Sequence, residues 1–194
     1  TGKMALYGRY QRVALTFLLW GFSFVHSSLI DYSCQNWEGY GKFLDVTFGD
    51  QPSLSKASCD QDVELETFSD SPPRVRYSQA VSVKKYLIAM VDPDAPSRES
   101  HSCRSWLHWI VGNIKGDDLK KGNIIGDTFT GYNPPTPPSR SGPHRYYLFA
   151  FEQKHSLDDR AEVGKRCQFS VDDYKEKNDL TPVAMNMFQT VNNS

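Results

Sequence analysis

Two carboxylates, two imidazoles and a phenol stand beside hydrophobic runs in this chain. Asp92-Pro93-Asp94-Ala95-Pro96-Ser97-Arg98 follows an apolar run at 86–91, His108 sits inside Trp106-Leu107-His108-Trp109-Ile110-Val111, and Ser141-Gly142-Pro143-His144-Arg145-Tyr146 leads into a second apolar run at 147–151. Imidazoles can donate a ring N–H and gain charge as pH falls toward ~6.5, and a phenol adds a neutral donor. Such groups suit an anion. A carboxylate repels one, so Asp92 is expected to accept a histidine N–H and fix its tautomer. Asp94 is expected either to tie down turn amides or to meet a ligand's ammonium group. Acids beside imidazoles therefore fit a small ligand bearing both signs. Plainer uses exist for each residue: acids in proline turns stabilise the turn, and a histidine between tryptophans can be a satisfied core group. Arg98 and Arg145 are expected to form structural ion pairs.

His108, His144 and Asp92 could also form a two-histidine, one-carboxylate metal site, or part of a Ser-His-Asp hydrolase. The chain contains no G-x-S-x-G elbow and no H-E-x-x-H helix, and no nucleophile is named by the sequence. The expectation is a binding protein without catalysis and without a cofactor.

For these groups to meet, strands must deliver them. The run at 86–91 reads as a buried strand, and the prolines after it forbid a helix and force a rigid turn. Further strands are expected at 43–48, 62–68, 74–77, 106–114, 124–132, 146–153 and 183–188. A single helical turn is expected within 115–122 and a short helix over 171–177. The loop at 133–143 is rich in proline and reads as a rigid pocket wall; a polyproline ligand is the alternative. Many short strands between Gly/Pro turns predict an all-β fold with minor α, an antiparallel β-sandwich of two sheets with small peripheral helices.

The 194 residues suffice for one domain with a real core, and a net charge of −1 with no basic stripe argues against nucleic-acid binding. Near the start, Arg9 and Arg12 precede an apolar stretch at 13–25. The stretch is short of the ~20 residues a bilayer span needs, so residues 1–27 read as a signal peptide with upstream residues and 28–194 as the domain. Its removal takes away Lys3, Arg9 and Arg12 and no acid, leaving 19 basic and 23 acidic residues, a net charge of −4. The mature chain is then secreted, with no transmembrane segment. Cys34, Cys59, Cys103 and Cys167 lie beyond that point, and an even count in a secreted chain predicts two disulfides. Three pairings are open; Cys34–Cys59, a short N-terminal loop, with Cys103–Cys167, a staple across the domain, is the favoured one. No C-x-x-C pair is present for a structural zinc site.

The two long motifs, with Pro137-Pro138 before the second and a weaker match at Leu180-Thr181-Pro182-Val183-Ala184 and Phe188, make residues 40–188 resemble the phosphatidylethanolamine-binding protein family, also called the Raf kinase inhibitor protein family. With the signal peptide, the cysteines and Asp118-Leu119-Lys120-Lys121-Gly122, the chain looks most like the secreted fourth vertebrate-type member. The resemblance implies two antiparallel sheets and a small anion pocket for phosphate or a phospholipid head group. It would be lined by Asp92, Asp94, Pro96, His108, Pro137, His144 and Tyr146. It also implies a possible protein partner, since the family includes kinase-pathway regulators and peptidase inhibitors. Thr136 and Arg140 stand where the family commonly has glycine, so Thr136 is expected to narrow the pocket and Arg140 to add positive charge. With the chain ending at Ser194, the C-terminal helix that borders the pocket in many relatives is expected to be shortened or absent.

Overall fold

Leu87, Ala89 and Val91 alternate with Tyr86, Ile88 and Met90, and all six are buried, because the strand that carries them has packed layers on both faces. A computed structural model describes residues 28–37, 41–100 and 102–194; the expected signal peptide lies outside the described residues. Among the described residues nine strands and three short α-helices follow in chain order: α1 (Cys34–Trp37), β1 (Lys42–Phe43), β2 (Asp45–Thr47), β3 (Gln61–Asp62), β4 (Arg74–Arg76), β5 (Lys85–Asp92), β6 (Trp106–Lys115), α2 (Gly116–Lys121), β7 (Asp127–Thr130), β8 (His144–Gln153), α3 (Val171–Lys177) and β9 (Leu180–Thr190). The large sheet runs β1-β9-β8-β5-β6-β7, with β3 also on β9, and β2 and β4 form a small second sheet. The pairings of β5, β6, β7, β8 and β9 with one another are antiparallel, whereas the two-residue strands β1 and β3 join β9 in parallel.

One face of the large sheet packs on the small sheet through Leu44, Val46, Val75, Tyr86, Ile88, Met90, Tyr146, Leu148 and Phe188. The other face is covered by Trp37 of α1, Val171 and Tyr174 of α3, and Leu29. Ser170 accepts the amide of Asp173 and so caps α3 where the sequence predicts a helix start. The last strand is longer than the expected 183–188 and includes Pro182. Pairing skips from Ala150↔Ala184 to Phe151↔Pro182, so Val183 is bulged and the proline, which has no N–H, sits at an irregular point of the ladder.

The expected strand at 62–68 is a correction. After the Val63 amide bonds to Gln189, the chain turns at Glu64 into a 3-10 turn over Leu65–Thr67. Phe68 then stacks on Phe188 and meets Phe48 edge-on. Packing that ring against the aromatic cluster prevails over the local alternation. Both favoured disulfides are formed: Cys34–Cys59 joins residues 25 positions apart and Cys103–Cys167 residues 64 apart, with Cα–Cα distances of 6.0 and 4.8 Å.

Candidate functional site

Where the small sheet stops covering its face of the large one, the ends of three strands surround a cavity of about 280 Å³. Asp92 ends β5, Trp106 and His108 begin β6, and His144 and Tyr146 begin β8. The alternation of β5 and β8 sends Asp92, His144 and Tyr146 toward the same side as Met90 and Leu148. His108 arrives by a different route. Pairing passes from Met90↔Trp109 to Val91↔Leu107, so His108 is the extra residue of a β-bulge. The bulge allows His108 to approach Tyr146 edge-on at 5.2 Å although the next residue, Trp109, packs in the same layer as Tyr146. Ala95, Pro96, Cys103, Asn133, Thr136, Pro137 and Pro138 complete the wall.

Hydrogen bonds lock the polar groups. The Asp94 amide donates to Asp92 Oδ1 at 2.7 Å, and His144 Nδ1 lies 2.7 Å from Asp92 Oδ2. A carboxylate accepts, so the hydrogen is on His144 Nδ1. His144 Nε2 is 2.9 Å from Ser141 Oγ, which also lies 2.7 Å from the Pro138 carbonyl. His108 Nδ1 is 2.7 Å from the Asn133 carbonyl, which likewise can only accept. With that tautomer, a neutral His108 carries its lone pair on Nε2. The proline-rich loop is thus held at both ends by the imidazoles it borders, and Asn192 Nδ2 donates to the Pro137 carbonyl between them.

Burial moves the ionisable groups apart. His108, only 3% exposed, is depressed to about 4, chiefly by loss of solvent; the Asn133 carbonyl and Asp92 oppose this, and the charge of Arg166 adds to it. The Tyr146 phenol is pushed upward by burial and by Asp92 and Asp94, which keeps it a neutral donor. On Asp94, burial acts to raise the carboxyl, yet the hydrogen bonds and charge of Arg145, with Arg98, hold it below the usual range.

Of the seven residues singled out from sequence, Asp92, Pro96, His108, Pro137, His144 and Tyr146 line the cavity. Asp94 lies behind it. Its oxygens accept from the Arg145 amide at 2.9 Å, Arg145 Nε at 2.9 Å, Arg145 Nη2 at 2.7 Å and Arg98 Nε at 3.3 Å, which answers the expectation of structural pairs for both arginines. Asp94 therefore anchors the β5 turn to β8 and is not available to a ligand's ammonium group. Thr136 does line the cavity, but Arg140 does not; it is exposed, with φ +57°. The left-handed backbone is the physical reason glycine suits that position.

Ser141, Asn133 and Arg166 were not among the residues singled out as site groups. Ser141 heads the motif that carries His144 and Tyr146. Arg166 donates through Nη1 to the Leu107 and His108 carbonyls, both at 2.9 Å, and through Nη2 to Gly131 at 2.7 Å. It belongs to no motif, and only the fold brings it beside the bulge. Next to it, the Cys103–Cys167 bridge fixes one wall of the cavity, backed by reciprocal backbone bonds between Ser105 and Phe169.

Residues 45–188 match the model of a family described as phosphatidylethanolamine-binding protein. Over 112 residues, 54% of the chain, it is 37% identical to "Putative odorant-binding protein A5" of Drosophila melanogaster; the match spans about half, 51%, of that relative's length. The fold superposes on a carboxypeptidase Y inhibitor, solved in complex with the cognate proteinase, with a TM-score of 0.66 at 19% identity, covering 84% of this chain and 98% of that one. It superposes on the phosphatidylethanolamine-binding protein from Plasmodium vivax with a TM-score of 0.63 at 17% identity, covering 83% and 98%. At these identities the two solved structures speak to the fold.

Proposed function

Because this chain belongs to the phosphatidylethanolamine-binding protein family, we propose that it is a non-enzymatic binding protein whose cavity takes phosphate or a phospholipid head group. The observation that carries the reading is the convergence of Asp92, His108, His144 and Tyr146, from three strand ends, on one cavity of about 280 Å³. Asp92 and Ser141 orient His144, the Asn133 carbonyl orients His108, and Tyr146 contributes a neutral hydroxyl. Trp106, Pro96, Pro137 and Pro138 give the apolar wall that an alkyl or glyceryl portion needs. Secretion is part of the proposal. Two disulfides, the basic and apolar N-terminal sequence and a relative named as odorant-binding support it.

The test is a phosphorylethanolamine titration followed by NMR. Ring signals of His108, His144 and Tyr146 should move together and saturate; if they stay in place at millimolar ligand, the reading is wrong. A second reading, a peptidase inhibitor, has a carboxypeptidase Y inhibitor among its fold relatives, and the cavity itself favours the small-ligand reading.

A further inference from the structure

The charge count of the cavity does not suit a dianion. Asp92 brings a carboxylate, and among the described residues no lysine or arginine lines the cavity. The guanidinium groups of Arg145 and Arg166 are engaged elsewhere, Arg145 with Asp94 and Arg166 with three backbone carbonyls. Each imidazole gives its Nδ1 hydrogen to the protein, and His144 Nε2 is covered by Ser141 Oγ. The remaining ring atom, His108 Nε2, is an acceptor when the ring is neutral. A ligand that meets it well must supply a hydrogen.

We infer that the cavity takes a phosphomonoester together with one proton, so that the complex holds about one proton more than its separated parts at neutral pH. The inference rests on the anion-pocket reading above and narrows it from phospholipid head groups in general to those with a terminal phosphate. The proton lies between a phosphate oxygen and His108 Nε2. The groups facing that ring are Asp92 at the end of β5, His144 and Tyr146 at the start of β8, Arg166 from the loop before α3, and the Asn133 carbonyl after β7. Asp92 and the carbonyl favour a proton there, while burial, Arg166 and His144 oppose it, and the balance leaves the empty ring neutral. A monoester monoanion offers P–O–H to Nε2 and places one negative charge, rather than two, near Asp92. The Tyr146 and Thr136 hydroxyls, the Asn133 side-chain amide and the Trp106 indole belong to residues that line the cavity and are neutral donors for its other oxygens. A phosphodiester keeps one negative charge at any ordinary pH but has no P–O–H to give.

Calorimetry on the full chain separates these cases. Glycerol 3-phosphate, dihexanoyl phosphatidic acid below its micelle concentration and glycerophosphoethanolamine, a diester, are titrated at pH 7.5 and pH 5.5, each in two phosphate-free buffers of different ionisation enthalpy. A monoester with a second pKa of about 6 is ~3% monoanion at pH 7.5 and ~75% at pH 5.5, so both monoesters should bind about 25-fold tighter at the lower pH. The buffer dependence at pH 7.5 should report uptake of close to one proton, with the diester changing less than about threefold. Tighter binding of the dihexanoyl compound than of glycerol 3-phosphate identifies a lipid as the source, and equal binding a free monoester. Monoester affinity that is independent of pH, with no proton taken up, overturns the inference and leaves the anion pocket standing. No binding of any of the three at either pH overturns the pocket reading itself.

Discussion

Acidification should destabilise this protein in a window to which one side chain contributes strongly. His108 is held near 4 in the folded chain and returns to about 6.5 when unfolded. Its folded value is depressed, so the unfolded chain binds the proton more readily, and stability rises with pH. The contribution is complete above pH 6.5, falls as pH drops toward 4 and changes no further below that. Between pH 7 and pH 4.5 the linkage amounts to about 2 kcal/mol, from the shift to about 4 at a site that is nearly all buried. That is a sizeable part of the 5–15 kcal/mol typical of a domain. The measurement is urea unfolding with disulfides intact at the two pH values, for the native chain and for His108→Gln, whose side-chain amide can still donate to the Asn133 carbonyl. Other titrating groups act equally on both proteins and cancel in the difference. The native chain should lose about 2 kcal/mol more than the variant. Should the variant not fold, the His108 ring of the native chain provides a second measure, remaining neutral by NMR down to pH 5. Parallel losses in the two proteins, or a ring that charges near pH 6.5, would refute the argument.

Two further outcomes follow from the anchoring groups. Asp94→Ala leaves the Arg145 guanidinium and amide without their acceptor and should cost about 3 kcal/mol in urea unfolding. Because Asp94 lies behind the cavity, phosphorylethanolamine affinity in the folded fraction should fall less than about threefold; a larger loss would return Asp94 to the ligand. Replacing Cys103 and Cys167 by serine opens a loop whose ends are 64 positions apart and should cost about 4 kcal/mol, against about 3 for Cys34 and Cys59, 25 positions apart. Only the first replacement should also weaken ligand binding, since Cys103 borders the cavity.

Strands buried on both faces were legible because their apolar runs are unbroken, as at Tyr86 to Val91 and Tyr147 to Phe151. The helix over 171–177 was legible from its apolar and charged spacing. The stretch at 62–68 was not, because its polar–apolar alternation is equally served by Val63 and Phe68 packing on either side of a 3-10 turn. Much the same limit applies to the site. Proline turns and apolar runs place Asp92, His144 and Tyr146 at strand ends, and local alternation puts the latter two on one face. What sequence could not carry was partner choice across distance. Asp94 is tied to an arginine 51 positions away, and Arg166 reaches the His108 carbonyl from 58 away. Strict alternation would also have set His108 and Trp109 on opposite faces; the skipped pairing that overrides it lies in the ladder with β5.

That skipped pairing makes residue count, and not only residue identity, a condition of recognition. Deleting one residue between Trp106 and Ile110 would restore regular pairing and redirect the imbalance into the strand beyond. The surrounding surface loops can lengthen or shorten at small entropic cost. Gain or loss of a single position at the start of β6 would therefore displace His108 from the cavity, whereas loops that do not border it carry no such constraint.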